Sequence, residues 1–313
     1  MAGFLVARVA HATAVLIGVL SLTFMLLHVA GDPLAGLIPP GASPEVEAHI
    51  RHGYGLDRPI LVQYLDFLSR GLRADFGDSW RQGRSALDAV LERLPVTLAL
   101  AGGAVTLAAV VGVGLGVLAA AEPGSVWDVI ARLTGLLGQA IPAFWLGTML
   151  ILLFAVNRAW LPSSGLAGPS SLVLPALTLA AYPAATMTRL IRAAMGEALV
   201  ADYSRTARAK GLPRRQILLG HALRNAALLA LSFAGLQAGF LIGGAVIVES
   251  VFALPGVGAL ALDAVLFRDL PLVQAFVWAV AVLILVINLV TDTLAYLLDP
   301  RLRETGLLAG SAR

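Results

Sequence analysis

Residues 96–120 read VTLALAGGAVTLAAVVGVGLGVLAA, a stretch with no charged or amide side chain. An α-helix rises about 1.5 Å per residue, so about 20 residues of this kind cross the ~30 Å hydrocarbon layer of a membrane. The stretch therefore predicts a membrane-spanning helix. Its glycines at 112, 114 and 116 indicate contact with a neighbouring helix, because small residues let helix backbones approach closely in lipid.

The rest of the chain has the same character. Of its 313 residues, 58% are hydrophobic and 13% are charged, whereas soluble domains carry about 25% charged residues. We therefore predict an all-α polytopic membrane protein, a single transmembrane domain over residues 1–313 with about six transmembrane helices. The spans lie at about 9–30, 96–120, 133–156, 173–194, 228–251 and 276–298.

The distribution of lysine and arginine predicts the orientation of the chain. With the N-terminus in the cytoplasm, the cytoplasmic loops and termini collect most of the 22 basic residues, and both termini are inside. Segment 31–95 is then extracytoplasmic, and its mixed amphipathic stretches predict short surface helices. The basic residues lie between apolar runs, which indicates membrane topology and not nucleic-acid binding.

The loop between the fourth and fifth spans, residues 195–225, is unusually long for a simple connection. Residues 197–215 read EALVADYSRTARAKGLPRR. The sequence favours a helix as far as Gly211, where Gly-Leu-Pro predicts a break, since glycine suits a helix C-terminus and proline cannot continue the helix. A second short helix is predicted from Ile217. The loop is therefore expected to protrude as two helices joined by a turn.

This loop resembles the cytoplasmic coupling loop of binding-protein-dependent ABC permeases, in the dipeptide/oligopeptide/nickel branch and of the first-permease type. The resemblance lies in DYSRTARAKGL at 202–212 and HALRNA at 221–226. Arg224 stands where the broader superfamily has proline, a departure characteristic of the peptide branch. Further similar blocks are YGLDRP at 54–59, IPAFWLG at 141–147 and ESVFALPGVG at 249–258.

The resemblance implies a type I ABC importer permease fold, N-in and C-in, in the bacterial cytoplasmic (inner) membrane. It implies three kinds of partner besides membrane lipid: a homologous second permease, two ATP-binding cassette subunits and an extracytoplasmic substrate-binding protein. It also assigns the residues of the ATPase-coupling loop, namely Asp202, Tyr203, Arg205, Thr206, Ala207, Arg208, Lys210, Gly211 and Leu212.

The chain lacks a nucleotide-binding motif of its own. A P-loop requires Gly-Lys-Ser/Thr, and the only lysine, Lys210, is followed by glycine. We therefore expect a non-catalytic permease that binds no cofactor or metal, with ATP and Mg²⁺ held by the partner subunits. Two pairs of potential metal ligands, His28 with Asp32 and His49 with His52, each offer too few ligands for a metal site.

Polar side chains within the predicted spans are costly and often line a pathway. The candidates for a pathway or gate are Gln139, Gln237, Glu249, Asn288 and Asp292. A structural role, such as pairing across helices, fits four of them equally well and is favoured for Asp292, which lies close to the cytoplasmic end.

The function that the resemblance implies is import of di- or oligopeptides by alternating access. Nickel or metallophore complexes and other small solutes are alternative cargoes. An ion-coupled secondary transporter would contain inverted repeats, and an intramembrane enzyme would need paired catalytic groups at one depth. The sequence contains neither pattern.

Overall fold

A computed structural model describes residues 2–29, 38, 41–53 and 55–298. Within these ranges the secondary structure is helical, apart from an isolated bridge between Asp78 and Ser85. The helices are α1 (Ala2–Val29), α2 (Pro44–Gly53), α3 (Ile60–Leu72), α4 (Ala86–Ala121), α5 (Val126–Ala140), α6 (Ala143–Leu150), α7 (Val173–Val200), α8 (Asp202–Ala209), α9 (Arg214–Gln216), α10 (Leu223–Val251), α11 (Val257–Leu266) and α12 (Leu270–Leu298). Single π-helical turns follow α6 at Ile151–Val156 and α9 at Ile217–Ala222, and a 3₁₀ turn, Pro169–Leu172, precedes α7.

Among the described residues, four helical stretches are long and apolar enough to cross a membrane. They are Ala86–Ala121, Pro169–Val200, Leu229–Val251 and Leu270–Leu294. A bent pair, Val126–Ala140 with Ala143–Val156, would make a fifth, and α1 contributes the shorter apolar helix Ala10–Leu26. The helical membrane architecture predicted from the sequence is thus confirmed, while the count of six spans stays a prediction.

The third predicted span, 133–156, is not one straight helix. Its two halves, α5 and α6, meet at an angle of 108°. Ile141 leaves the helix in an extended conformation (φ −84°, ψ 122°), because the ring of the following proline disfavours the helical region for the residue before it. Pro142 then opens α6 in a conformation of the same kind. The bend is therefore encoded by this Ile-Pro step.

The chain forms two compact units. The first unit comprises the described residues within 1–95 and 256–286, and the second comprises those within 96–255 and 287–298. The core of the first unit is built on buried apolar side chains from α1, α4, α11 and α12. They include Leu20, Val90, Leu260 and Leu272.

The second unit is organised around α7, which packs against α5, α6 and α10. Of the 18 most apolar consecutive residues in Pro169–Val200, the stretch that contains α7, 67% are buried. The same fraction for Leu229–Val251, which belongs to α10, is 33%. Glycines allow its neighbours to approach closely. A methyl group at Gly138 of α5 would lie 2.7 Å from the Cβ of Ala185 and 2.8 Å from the carbonyl oxygen of Ala181. The contact of α5 with α7 is therefore a backbone-to-backbone packing.

Candidate functional site

The predicted coupling loop forms a short helix, α8, that is packed against the end of α7. Ala201 is extended (φ −64°, ψ 155°) and separates the two helices. One face of α8 is buried, with Ser204 at 0% and Ala207 at 5% exposure. The Ser204 hydroxyl donates to the carbonyl oxygen of Ala198 at 2.6 Å. Helix α8 is therefore fixed to the bundle and is not a freely moving loop.

The opposite face of α8 is exposed and carries most of the predicted coupling residues. Asp202, Arg205, Thr206, Arg208 and Lys210 are all exposed. The Arg205–Asp202 pair is 3.7 Å long, and its side chains are 73% and 98% exposed. Exposed pairs of this kind contribute at most about 1 kcal/mol. The Asp202–Arg205 pair therefore does little for the fold, whereas the Arg208 guanidinium donates to the Leu199 carbonyl oxygen at the end of α7.

A Schellman turn ends α8 where the sequence predicts the break. Gly211 has φ +76°, its N–H donates to the Arg208 carbonyl at 2.9 Å, and the Leu212 N–H donates to the Ala207 carbonyl at 3.2 Å. This pair of hydrogen bonds requires the residue after the helix to have a left-handed backbone conformation. Glycine adopts that conformation without a steric penalty. Pro213 then precedes α9. The backbone of the turn is therefore set by Gly211.

The returning segment holds the turn in place through contacts within the second unit. Ile217 and Ala222 are buried at 3% and 0% exposure. The Arg214 guanidinium donates to the carbonyl oxygen of Ala121 at the end of α4. The Asn225 amide donates to the Tyr203 hydroxyl at 3.2 Å, so Tyr203 links α8 to α10. The predicted coupling residues thus lie on one element that is held by α4, α7 and α10.

The five candidate pathway residues lie on three helices, α5, α10 and α12. Gln139 donates to the Thr186 hydroxyl at 3.2 Å. Glu249 is fully buried and accepts a 2.5 Å hydrogen bond from the equally buried Thr97. Gln237 is 7% exposed. It lies twelve residues before Glu249, about 18 Å away along the helix.

The remaining two pathway candidates differ from each other in exposure. Asn288 is exposed and Asp292 is half-buried on α12. The structural alternative, pairing with a neighbouring helix, is observed for Gln139, which bonds to α7, and for Glu249, which bonds to α4. Their role in a pathway stays a prediction, as it does for Gln237, Asn288 and Asp292.

A buried carboxylate in the second unit was not singled out from the sequence. Asp128 is 3% exposed and accepts a 2.6 Å hydrogen bond from Nε of Arg192 on α7. It also accepts the Gly124 N–H at 3.0 Å and lies 3.5 Å from Arg132. The available signal was Ser125-x-x-Asp128, a capping-box spacing at the start of α5. The carboxylate joins the beginning of α5 to α7.

A second buried carboxylate organises the first unit. Asp269 is 2% exposed and accepts the Ser79 hydroxyl at 2.5 Å and the Trp80 and Arg81 N–H groups at 3.2 Å each. The Arg81 guanidinium also lies 3.5 Å from the centre of the Phe267 ring. Asp269, which directly precedes α12, therefore ties the turn before α4 to the start of that helix.

We expect Asp269→Asn to loosen this turn, because an amide places an N–H₂ group where the carboxylate accepts hydrogen bonds. A buried donor left unsatisfied costs about 1–3 kcal/mol. Hydrogen exchange of residues 79–81 should accelerate by about tenfold. Asp263→Asn, which changes an exposed carboxylate on α11, is the control and should leave this exchange unchanged. Equal exchange in both variants would contradict the role of Asp269.

Within the described ranges, no three His, Asp or Glu side chains are grouped closely enough to hold a metal ion. His52 donates from Nδ1 to Asp57 at 2.7 Å, and this hydrogen bond lowers the pKa of the Asp57 carboxyl below its ordinary value. The His28 ring contacts the Phe24 carbonyl at 2.9 Å. Asp32, its predicted companion, lies outside the described residues.

Two family models match the chain. The binding-protein-dependent transport system inner membrane component family matches residues 112–304. The N-terminal membrane component of the same systems matches residues 1–101. The first match includes α8 and Gly211 together with the helices that hold them.

Curated relatives match over nearly the whole chain. A putative peptide transport system permease of Brucella abortus is 39% identical over 312 residues, covering 97% of this chain and 99% of the relative. The oligopeptide transport system permease AppB of Bacillus subtilis is 37% identical, covering 96% and 99%. The glutathione transport system permease GsiC of Escherichia coli K12 is 37% identical, covering 90% and 92%.

The fold is similar to that of a solved ABC transporter. A chain of the inward-facing MetNI methionine ABC transporter matches with a TM-score of 0.55 at 19% identity, covering 67% of this chain and 96% of that chain. At this identity the match shows the fold alone. The family matches and the curated relatives show that the chain belongs to the binding-protein-dependent inner membrane component family and is a multi-pass permease of ABC importers.

Proposed function

We propose that this chain forms half of the translocation pathway of an ATP-driven importer that carries di- or oligopeptides by alternating access. The observation that carries the proposal is α8, a helix fixed to the bundle on one face and exposed on the other. An element built in this way can pass the movement of a docked partner to the helices behind it. The named peptide and glutathione permeases among its relatives support the choice of cargo.

The partners follow from this role. We infer a homologous second permease that completes the pathway, two ATP-binding cassette subunits that hold ATP and Mg²⁺, and an extracytoplasmic binding protein that delivers cargo. The exposed residues Asp202, Arg205, Thr206, Arg208 and Lys210, together with Tyr203, Gly211 and Leu212, would contact the ATPases, and Ala207 would hold α8 against the bundle. Closure of the ATPases would then shift the bundle between two packings.

The orientation is part of the proposal. The loop 195–225 would face the cytoplasm and segment 31–95 the outside, with both termini inside. The excess of basic residues in and around α8 supports this arrangement, since cytoplasmic loops are enriched in lysine and arginine.

Uptake into proteoliposomes tests the proposal. The permease would be reconstituted with its second permease, the ATPases and the binding protein, and presented with a radiolabelled tripeptide. We expect uptake that needs internal ATP hydrolysis, ceases with a non-hydrolysable ATP analogue and persists when a protonophore collapses ion gradients. Uptake that needs the ion gradient and no ATP would favour a secondary transporter. ATP-driven uptake of nickel complexes and not of peptides would correct the cargo.

A further inference from the structure

The first unit contains a cleft of about 650 Å³, a volume within the ~300–1,000 Å³ range of small-molecule sites. It lies between the end of α1, one face of α3, the turn at 75–80 and the start of α12. The base of the cleft is aromatic, with Phe24 at 8% and Phe76 at 6% exposure. The cleft is thus large enough, and apolar enough at its base, to enclose a small organic ligand.

A polar wall of this cleft is held rigidly. Gln63, Asp66, Phe67 and Arg70 line it at spacings of three and four along α3, which places them on one helix face. The Gln63 amide donates to the carbonyl oxygens of Leu56 at 3.1 Å and of Arg58 at 2.8 Å. These two bonds fix the side chain of Gln63 and the loop that precedes α3.

The cleft contains two oppositely charged side chains that lie outside the ion pairs of the described residues, although the neighbouring Asp57 carboxyl feels the charge of Arg58. Arg70 already pairs with Asp75 at 3.3 Å. By contrast, the side chains of Arg58 and Asp66, both exposed, make no hydrogen bond or ion pair with any residue in the described part of the chain. Arg58 lies just before α3, and Asp66 lies about 10 Å along that helix from its start. An extended tripeptide spans about 10 Å.

We propose that this cleft is an accessory binding site for short zwitterionic peptides of about three residues. Arg58 receives the terminal carboxylate, Asp66 receives the terminal ammonium group, and the aromatic base contacts the side chains. The site rests on the proposed function for its extracytoplasmic position and its peptide ligand. None of the five candidate pathway residues lines this cleft, so the site would hold cargo apart from them.

Calorimetric titration of the assembled complex, without the binding protein, tests the site. The probes are trialanine, its C-terminal amide and its N-acetyl derivative. We expect each blocked peptide to bind about tenfold more weakly than trialanine, since a charge-assisted hydrogen bond is lost. Arg58→Ala should weaken the binding of trialanine by about tenfold. It should also remove the difference in affinity between trialanine and its C-terminal amide. Asp66→Asn should remove the difference in affinity between trialanine and its N-acetyl derivative.

Arg73→Ala is the matched control, because Arg73 is an exposed arginine next to α3 that does not line the cleft. Trialanine binding that is absent, or equal in Arg58→Ala and Arg73→Ala, would overturn the site. ATP-driven uptake by the complete importer is measured in parallel. Normal peptide uptake by the unaltered importer, together with unaltered trialanine binding in Arg58→Ala, would overturn the accessory site and leave the proposed function standing. Lack of peptide uptake by the unaltered importer would count against the proposed function.

Discussion

Gly211→Val should abolish ATP-driven uptake while the chain still inserts into the membrane in normal amounts. Gly211 has φ +76°, and a β-branched residue in this conformation is strained by more than the roughly 1–2 kcal/mol that other side chains pay. A Cβ atom there would meet no described atom within 4 Å, so the strain arises in the backbone of the turn. We expect the turn to open and α8 to lose its position. Uptake and ATPase activity in proteoliposomes provide the measurement.

Two further variants separate the backbone from the added side chain. Gly196→Val adds the same side chain to an exposed helical glycine of α7 with equally open surroundings, and uptake should persist. Gly211→Asn should retain most activity, because asparagine adopts the left-handed conformation more readily than other non-glycine residues. An assembled complex carrying Gly211→Val that transports at the normal rate would contradict the coupling role of this turn.

The turn at Gly211 could be predicted because its signal is local. Glycine followed two residues later by proline restricts the backbone whatever packs around it, and the Schellman hydrogen bonds appear where the sequence predicts a break. The contacts of Ser204 with Ala198 and of Tyr203 with Asn225 were not predictable in the same way. They depend on how α7 and α10 lie beside α8, which no short pattern encodes.

The apolar runs located the long helices but not their ends. Helix α4 begins at Ala86, ten residues before the apolar run at 96, and its first turns contain Asp88, Glu92 and Arg93. Hydropathy marks the part of a helix that suits lipid, whereas backbone hydrogen bonding continues into polar sequence. The bend after α5 had a visible cause in Pro142, but its angle of 108° depends on the packing of α5 and α6 on α7.

Buried carboxylates were the least predictable part of the chain. Asp269 bonds to Ser79, which lies 190 residues away, and Thr97 bonds to Glu249 across 152 residues. A sequence shows that a polar residue falls within or beside an apolar stretch, and the high cost of burying it shows that it needs a partner. The identity of that partner is a property of the tertiary fold.

Two of the three glycines at 112, 114 and 116 lie at a close contact between helices, whereas Gly114 has no described atom within 4 Å of an added Cβ. Gly112 and Gly116 lie one turn apart on α4 and face α7. A methyl group at Gly112 would lie 2.5 Å from the Cβ of Met187, and one at Gly116 would lie 2.7 Å from the Cβ of Ile191. Both partners are buried, at 2% and 0% exposure, so they have little freedom to move away.

Gly116→Leu should therefore prevent stable packing of α4 on α7. Its Cβ would also lie 3.0 Å from the Thr188 carbonyl oxygen, a backbone atom that cannot rotate aside, and overpacking costs typically about 1–3 kcal/mol and occasionally more. We expect a severalfold loss of monodisperse protein in detergent and a lower unfolding temperature. Gly114→Leu, two residues away on an exposed face with no described atom within 4 Å, should behave like the parent chain. Equal yields and unfolding temperatures for the two variants would show that the α4–α7 contact is not close, because only a tight interface distinguishes these neighbouring glycines.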